Sequence, residues 1–136
     1  MEIFWTVISG LSIYVFGQII QTFLLKPLND FKVVLGEISH KLKFHANVIT
    51  NSGMKEEVVR WSAGDMRDLS CQLESKYLAI PLDSFLSLLR IIPERKDIRE
   101  AAKYLIILSN ATGMQGYEVK NADAIDKLKK HINIVL

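Results

Sequence analysis

The sequence predicts an all-α protein: one N-terminal transmembrane helix followed by a four- to five-helix cytosolic bundle. Three observations carry this. The first formal charge is Glu2 and the next is Lys26, so residues 3–25 form an uncharged apolar run in a chain that is otherwise rich in Lys, Arg, Asp and Glu. Beyond that run, apolar residues recur at three- and four-residue steps, the spacing of one buried helix face. Alternation of period two, the mark of a half-buried strand, nowhere persists for more than a few residues. The 136 residues accommodate one domain of about 100 residues and something small beside it. The expected division is a membrane anchor over 1–26, with the span at about 3–25, and a helical bundle over 27–136.

The anchor comes first. At about 1.5 Å per residue the uncharged run reaches roughly 34 Å as a helix, enough to cross a hydrocarbon layer of about 30 Å. A cleavable signal would need a basic start, a shorter apolar core and a small-x-small cleavage site. The start Met-Glu-Ile and the stretch TFLLKPLND supply none of these. A buried core helix would be shorter and more clearly amphipathic. All 17 Lys and Arg residues follow position 25, with Lys26, Lys32, Lys41 and Lys43 close behind the run. Positive charge favours the cytoplasmic side, so the N-terminus is expected outside and the C-terminal domain in the cytoplasm. Cys71 is the only cysteine. It excludes an internal disulfide and suits a reducing compartment. In LSCQL it reads as a small buried residue.

The bundle elements follow in order. Pro27 fits the first turn of a new helix, or kinks one continuing from the span. Phe31, Val34, Leu35, Ile38, Leu42, His45 and Ile49 form one apolar stripe, and TNSG at 50–53 signals a turn. A second stripe runs through Val58, Val59, Ser62, Met66, Leu69, Leu73, Tyr77 and Ile80, and Pro81 ends it. Two long stripes joined by a short turn predict an antiparallel pair. LDSFLSLLRII reads as a short helix ended by Pro93. Asp97 is the expected cap of a helix carrying Ile98, Ala102, Leu105, Ile106 and Leu108. SNATGMQGY reads as a loop, and Asn121 or Asp123 as the cap of a last helix with Ile125, Leu128 and Ile132.

Within the span, Thr6, Gly10, Gly17 and Gln21 fall close to one line on a helix, with Gln18 at its border. Ile8, Val15, Ile19 and Phe23 face the other way. Lipid tails do not drive helices together hydrophobically; close backbone approach at small residues and side-chain hydrogen bonds do. A glutamine amide in hydrocarbon is costly unless paired, and a glutamine on a symmetry-related copy is an available partner. This face therefore predicts association of the span with copies of itself. Against that stands the frequency of Gly and Ser in spans, and the position of Gln18 and Gln21 near the cytoplasmic end.

No P-loop, dinucleotide fingerprint or zinc spacing is written in the chain; Ser/His/Asp or Cys/His sets meet in space and leave no spacing to read. Glu37 and His40 share the E-x-x-H spacing of bundle metal sites, but no second copy accompanies them. A surface Glu–His pair is the expected reading. No arginine precedes His40, His45 or His131 at the spacing a helical ribonuclease requires. The part after residue 25 is nearly charge-balanced, so nucleic acid is not an expected partner. Arg95, Lys96, Arg99 and Lys103 cluster at a helix start, with Arg90 just before. They are candidates for contact with an anion, an anionic headgroup or an acidic protein partner. Glu94, Asp97 and Glu100 are interleaved among them, and favour an exposed salt-bridged face.

The Lys-Pro after the span, the Ala-Ile-Pro break at 79–81, and the segments IPERKDIREAA and LSN carry a resemblance that covers most of the chain. They resemble a family of small bacterial proteins with one N-terminal inner-membrane span and a helical cytosolic domain. The resemblance implies architecture and setting, and no mechanism. In layout alone, the chain is also similar to membrane accessory proteins of antiviral defence systems, which oligomerise. The expected function is a non-enzymatic, self-associating membrane protein that perturbs or gates the inner membrane, or forms a pore in it, as an effector of antiviral defence. The alternative is a membrane-tethered bundle that recruits a cytosolic protein.

Overall fold

A computed structural model describes residues 1–51 and 53–132. Ser52 of the expected turn and the last four residues of the expected bundle, 133–136, lie outside the described residues. Among the described residues every regular element is helical. α1 (Glu2–Ile20), a π-helical turn (Gln21–Leu25) and α2 (Lys26–Phe44) form one continuous helix. α3 (Ala46–Thr50), α4 (Glu56–Leu78), α5 (Asp83–Leu88), α6 (Arg95–Ala111) and α7 (Glu118–Ile132) follow. The stretch Ile3–Phe44 spans 42 residues and is long and apolar enough to cross a membrane. Its length is about 63 Å, roughly twice a hydrocarbon layer.

The π turn explains how the helix passes Pro27 without a break. A proline inside an α-helix lacks the N–H for the carbonyl four residues back, and its ring collides with that carbonyl. Here the chain widens just before the proline. Lys26 N–H donates to the Gln21 carbonyl, five residues back, and the extra residue makes room for the ring.

Past the proline, α2 buries Phe31, Val34, Ile38 and Leu42. α4 runs antiparallel to it. Asp30 pairs with Lys76 and Phe31 meets Tyr77 edge-on at the near end, while Lys41 pairs with Asp65 at the far end. α4 buries Ser62, Met66, Leu69, Ser70, Leu73 and Tyr77, and packs on α6 as well as α2. α6 in turn packs on α7, and α7 reaches α3. The Ser70 hydroxyl donates to the Ala102 carbonyl at 2.9 Å, and the Tyr77 hydroxyl to the Pro93 carbonyl at 3.0 Å. Burial pushes the Tyr77 hydroxyl pKa up, and Asp83 adds to this against the opposing charge of Arg95.

Several local expectations are corrected. α6 continues through Ser109 and Asn110 to Ala111, because Leu108, Ser109 and Ala111 still face the core. Asp97 is not the cap of α6; it sits in the first turn and holds the His131 ring at 2.9 Å. Asn121 and Asp123 do not cap α7, which starts at Glu118. Asn121 is buried one turn in, and donates to the carbonyls of Ile49 (2.8 Å) and Ala111 (3.4 Å). α5 stops at Leu88, before Arg90 turns the chain at φ 57°. Cys71 is exposed, not buried: it lies off the α4 face that carries Leu69, Ser70 and Leu73.

Candidate functional site

The chemistry available to the chain is distributed along its long helix and at the two ends of the bundle. In the apolar run, Thr6, Gly10, Gly17, Gln18 and Gln21 are all exposed. The hydroxyls nearby are satisfied within the helix: Ser9 donates to the Thr6 carbonyl and Ser12 to the Ile8 carbonyl. A Cβ added at Gly10 or Gly17 would meet nothing within 4 Å, so no contact with a described residue asks for glycine at either place. Gly17, Gln18, Gln21, Thr22, Leu25 and Asn29 line a shallow groove. All six are exposed, whereas Leu24 and Leu28 pack against the bundle core. The groove therefore runs down the side of the helix that the bundle leaves uncovered. Neither Gln18 nor Gln21 makes a side-chain hydrogen bond with a described residue.

The basic cluster is largely neutralised. Arg95 donates to the Asp83 carboxylate through Nε (3.2 Å) and a terminal nitrogen (2.8 Å). Lys96 pairs with Glu94 at 3.0 Å and Lys103 with Glu100 at 3.4 Å. The Glu94 contact, followed by the Asp97 charge, holds Lys96 above its ordinary pKa. Arg90 and Arg99 form no ion pair with a described residue. The salt-bridged face expected from the interleaved acids is what the structure contains, with two arginines left over.

The far end of the bundle holds an arrangement that spacing alone does not reveal. His45 is 1% exposed, and its Nε2 lies 2.7 Å from the Asp65 carboxylate. Lys41 Nζ donates to the same oxygen at 2.8 Å. Burial works against the Asp65 charge, but hydrogen bonds from Lys41 and His45, and then their charges, outweigh it and hold the carboxyl below the usual range. The Trp61 ring stands edge-on to His45 at 5.5 Å. His40 stacks on Phe44 at 6.1 Å. Among the described residues no group of three or more His, Cys, Asp and Glu side chains gathers at metal-binding distance.

The near end of the bundle differs in kind. Leu78, Leu82, Phe85, Leu88, Leu89 and Ile91 are each more than half exposed. Only Leu86 of α5 is buried, with Ile80 and Ile92 to either side. The segment is thus more apolar on its outer face than on its inner one. The sequence carries the signal: PLDSFLSLLRII has more large apolar residues than one face of a six-residue helix can bury.

Comparison with protein-family models, with curated proteins and with solved structures finds no match to this chain.

Proposed function

We propose that the chain is a single-span protein of the bacterial inner membrane, N-terminus outside and bundle in the cytoplasm, that associates with copies of itself through the span. Its action on this reading is to perturb the membrane, as an effector of antiviral defence would. One observation carries the proposal. The groove at Gly17, Gln18 and Gln21 lies on the uncovered side of a helix that continues unbroken into the bundle. A second copy seated there would pair glutamine amides that hydrocarbon leaves unsatisfied. The charge asymmetry across Lys26 supports the orientation, and the resemblance to single-span bacterial proteins supports the setting. The reading needs no catalytic group and no cofactor.

The mass of the full-length protein in detergent, with the detergent contribution subtracted, tests it. One defined oligomer is expected, reduced to monomer by Gly17→Leu with Gln21→Leu. Cells making the parent should depolarise, and cells making the double variant should not. Equal depolarisation by both would overturn the proposal.

A second reading rests on Arg90 and Arg99, the two cations of the basic cluster without an ion-pair partner among the described residues. On it, the bundle recruits an acidic cytosolic protein and the span is a tether. Replacing residues 3–25 by an unrelated span would then leave activity intact.

A further inference from the structure

We infer that the segment Leu82–Ile91 is a second membrane contact, seated among the lipid headgroups of the bilayer that the long helix crosses. The inference rests on the reading of that helix as a span. Its own support is the height at which the fold holds the segment. Leu24 belongs to the uncharged run, yet it packs against the bundle core. Leu28, one turn on, shares a cleft with Arg90, Ile91 and Ile92. Leu28 lies three residues past the last residue of the run, about 4.5 Å along the axis. The headgroup layer is roughly 5–8 Å deep on each side of the hydrocarbon; the cleft runs on along the helix to Leu35, about 15 Å past the run, so its end at Leu28 is at headgroup level. α4 approaches this level with its C-terminal end, since Tyr77 meets Phe31 and Lys76 meets Asp30. Past Leu78 the chain turns through residues 79–82 into α5, whose Asp83, Ser84, Ser87 and Leu88 share a cleft with Tyr77.

The chemistry of the segment fits that depth. An apolar outer face facing water would be an exposed patch of the kind soluble domains avoid. Seated about 5–10 Å into the interface, Leu82, Phe85, Leu88 and Leu89 would meet the upper acyl chains. The outer face of α7, by contrast, carries Lys120, Asp123, Asp126, Lys127 and Lys130. Lys26, Lys32 and Arg90 surround the near end, all exposed and none paired with a described acid. Three of the acids there are engaged, Asp30 with Lys76, Asp83 with Arg95 and Glu94 with Lys96, while Glu74 beside Leu78 and Arg99 pairs with no described cation. The rim therefore suits anionic headgroups.

The test uses full-length protein in vesicles of phosphatidylethanolamine and phosphatidylglycerol. Cys71→Ser provides a background for single cysteines carrying an environment-sensitive fluorophore. Leu88→Cys reports the segment; at 78% exposed the side chain can be exchanged without touching the core. Val15→Cys reports the span, and Val119→Cys, 84% exposed at the far end, reports water. The expected result is strong quenching at 88 by a nitroxide near the top of the acyl chain. Iodide quenching there should be several-fold weaker than at 119, and the label at 15 should respond to a deeper nitroxide. Iodide quenching at 88 equal to that at 119, with 15 still in lipid, would overturn the inference alone. Shielding of 88 from both quenchers would also overturn it, and would show that protein covers the segment. Loss of lipid quenching at 15 would remove the span and the inference together.

Discussion

Asp65→Ala isolates a polar cluster that ties the far ends of α2 and α4 together. The carboxylate accepts from Lys41 Nζ and from His45 Nε2 through a single oxygen. Lys41 is 32% exposed in its side chain and can turn to water; His45, at 2%, cannot. Removing the acceptor therefore leaves a buried imidazole N–H unpaired, which costs about 1–3 kcal/mol. The Asp65 side chain is itself 20% exposed, so solvent softens the loss and about 2 kcal/mol is expected. Urea unfolding of the full-length protein in detergent measures it. Trp61 beside His45 is the reporter, in a Trp5→Phe background that silences the tryptophan of the apolar run. The sign of the pH dependence follows from the depressed Asp65 pKa. Its contribution is present above the unfolded value of about 3.9 and is lost as pH falls through the lower folded value. The gap between parent and variant should thus be full at about pH 6 and shrink below about pH 4. A gap under about 0.5 kcal/mol, or one that stays constant down to about pH 3, would refute the reasoning.

Gly113→Ala should destabilise by about 1–3 kcal/mol in the same assay. Gly113 has φ +80°, and a Cβ there would stand 2.6 and 2.9 Å from the Val59 methyl carbons; adding Val59→Ala should recover part of the loss. Asn121→Ala should cost about 1–3 kcal/mol, because the Ile49 and Ala111 carbonyls lose their buried donor. Asn121→Asp should cost more, since a carboxylate would face both carbonyls with nothing to donate.

The helical class and the α2 and α4 stripes were legible because burial follows a 3.6-residue period. Phe31, Val34, Ile38, Leu42, Met66, Leu69, Leu73 and Tyr77 all reach the core. Helix ends were less legible. Asp97, Asn121 and Asp123 are good capping residues by type, but tertiary partners claimed two of them: His131 took Asp97, and the Ile49 and Ala111 carbonyls took Asn121. Cys71 was misplaced because a small apolar residue says little about which side of a helix it occupies. The Lys41–His45–Asp65 cluster joins residues 20 and 24 apart in sequence, beyond the reach of any local pattern. The exposed α5 face was legible in part: the apolar surplus of PLDSFLSLLRII shows in the sequence, but not which of its residues the core leaves out. A run of leucines reads as core until a fold is available to show that the core is already full.

The widened turn before Pro27 has a mechanical consequence. A flexible linker would let an anchor and its cargo swivel independently. Here the helix is torsionally continuous from Ile3 to Phe44, and the extra residue at Gln21–Leu25 sets a fixed azimuth between the glycine groove and the bundle. Each residue of an α-helix turns the chain by about 100°. Rolling the upper half about its axis must therefore swing the lower half and everything packed on it through the same arc. The chain behaves as a crank whose handle is the bundle.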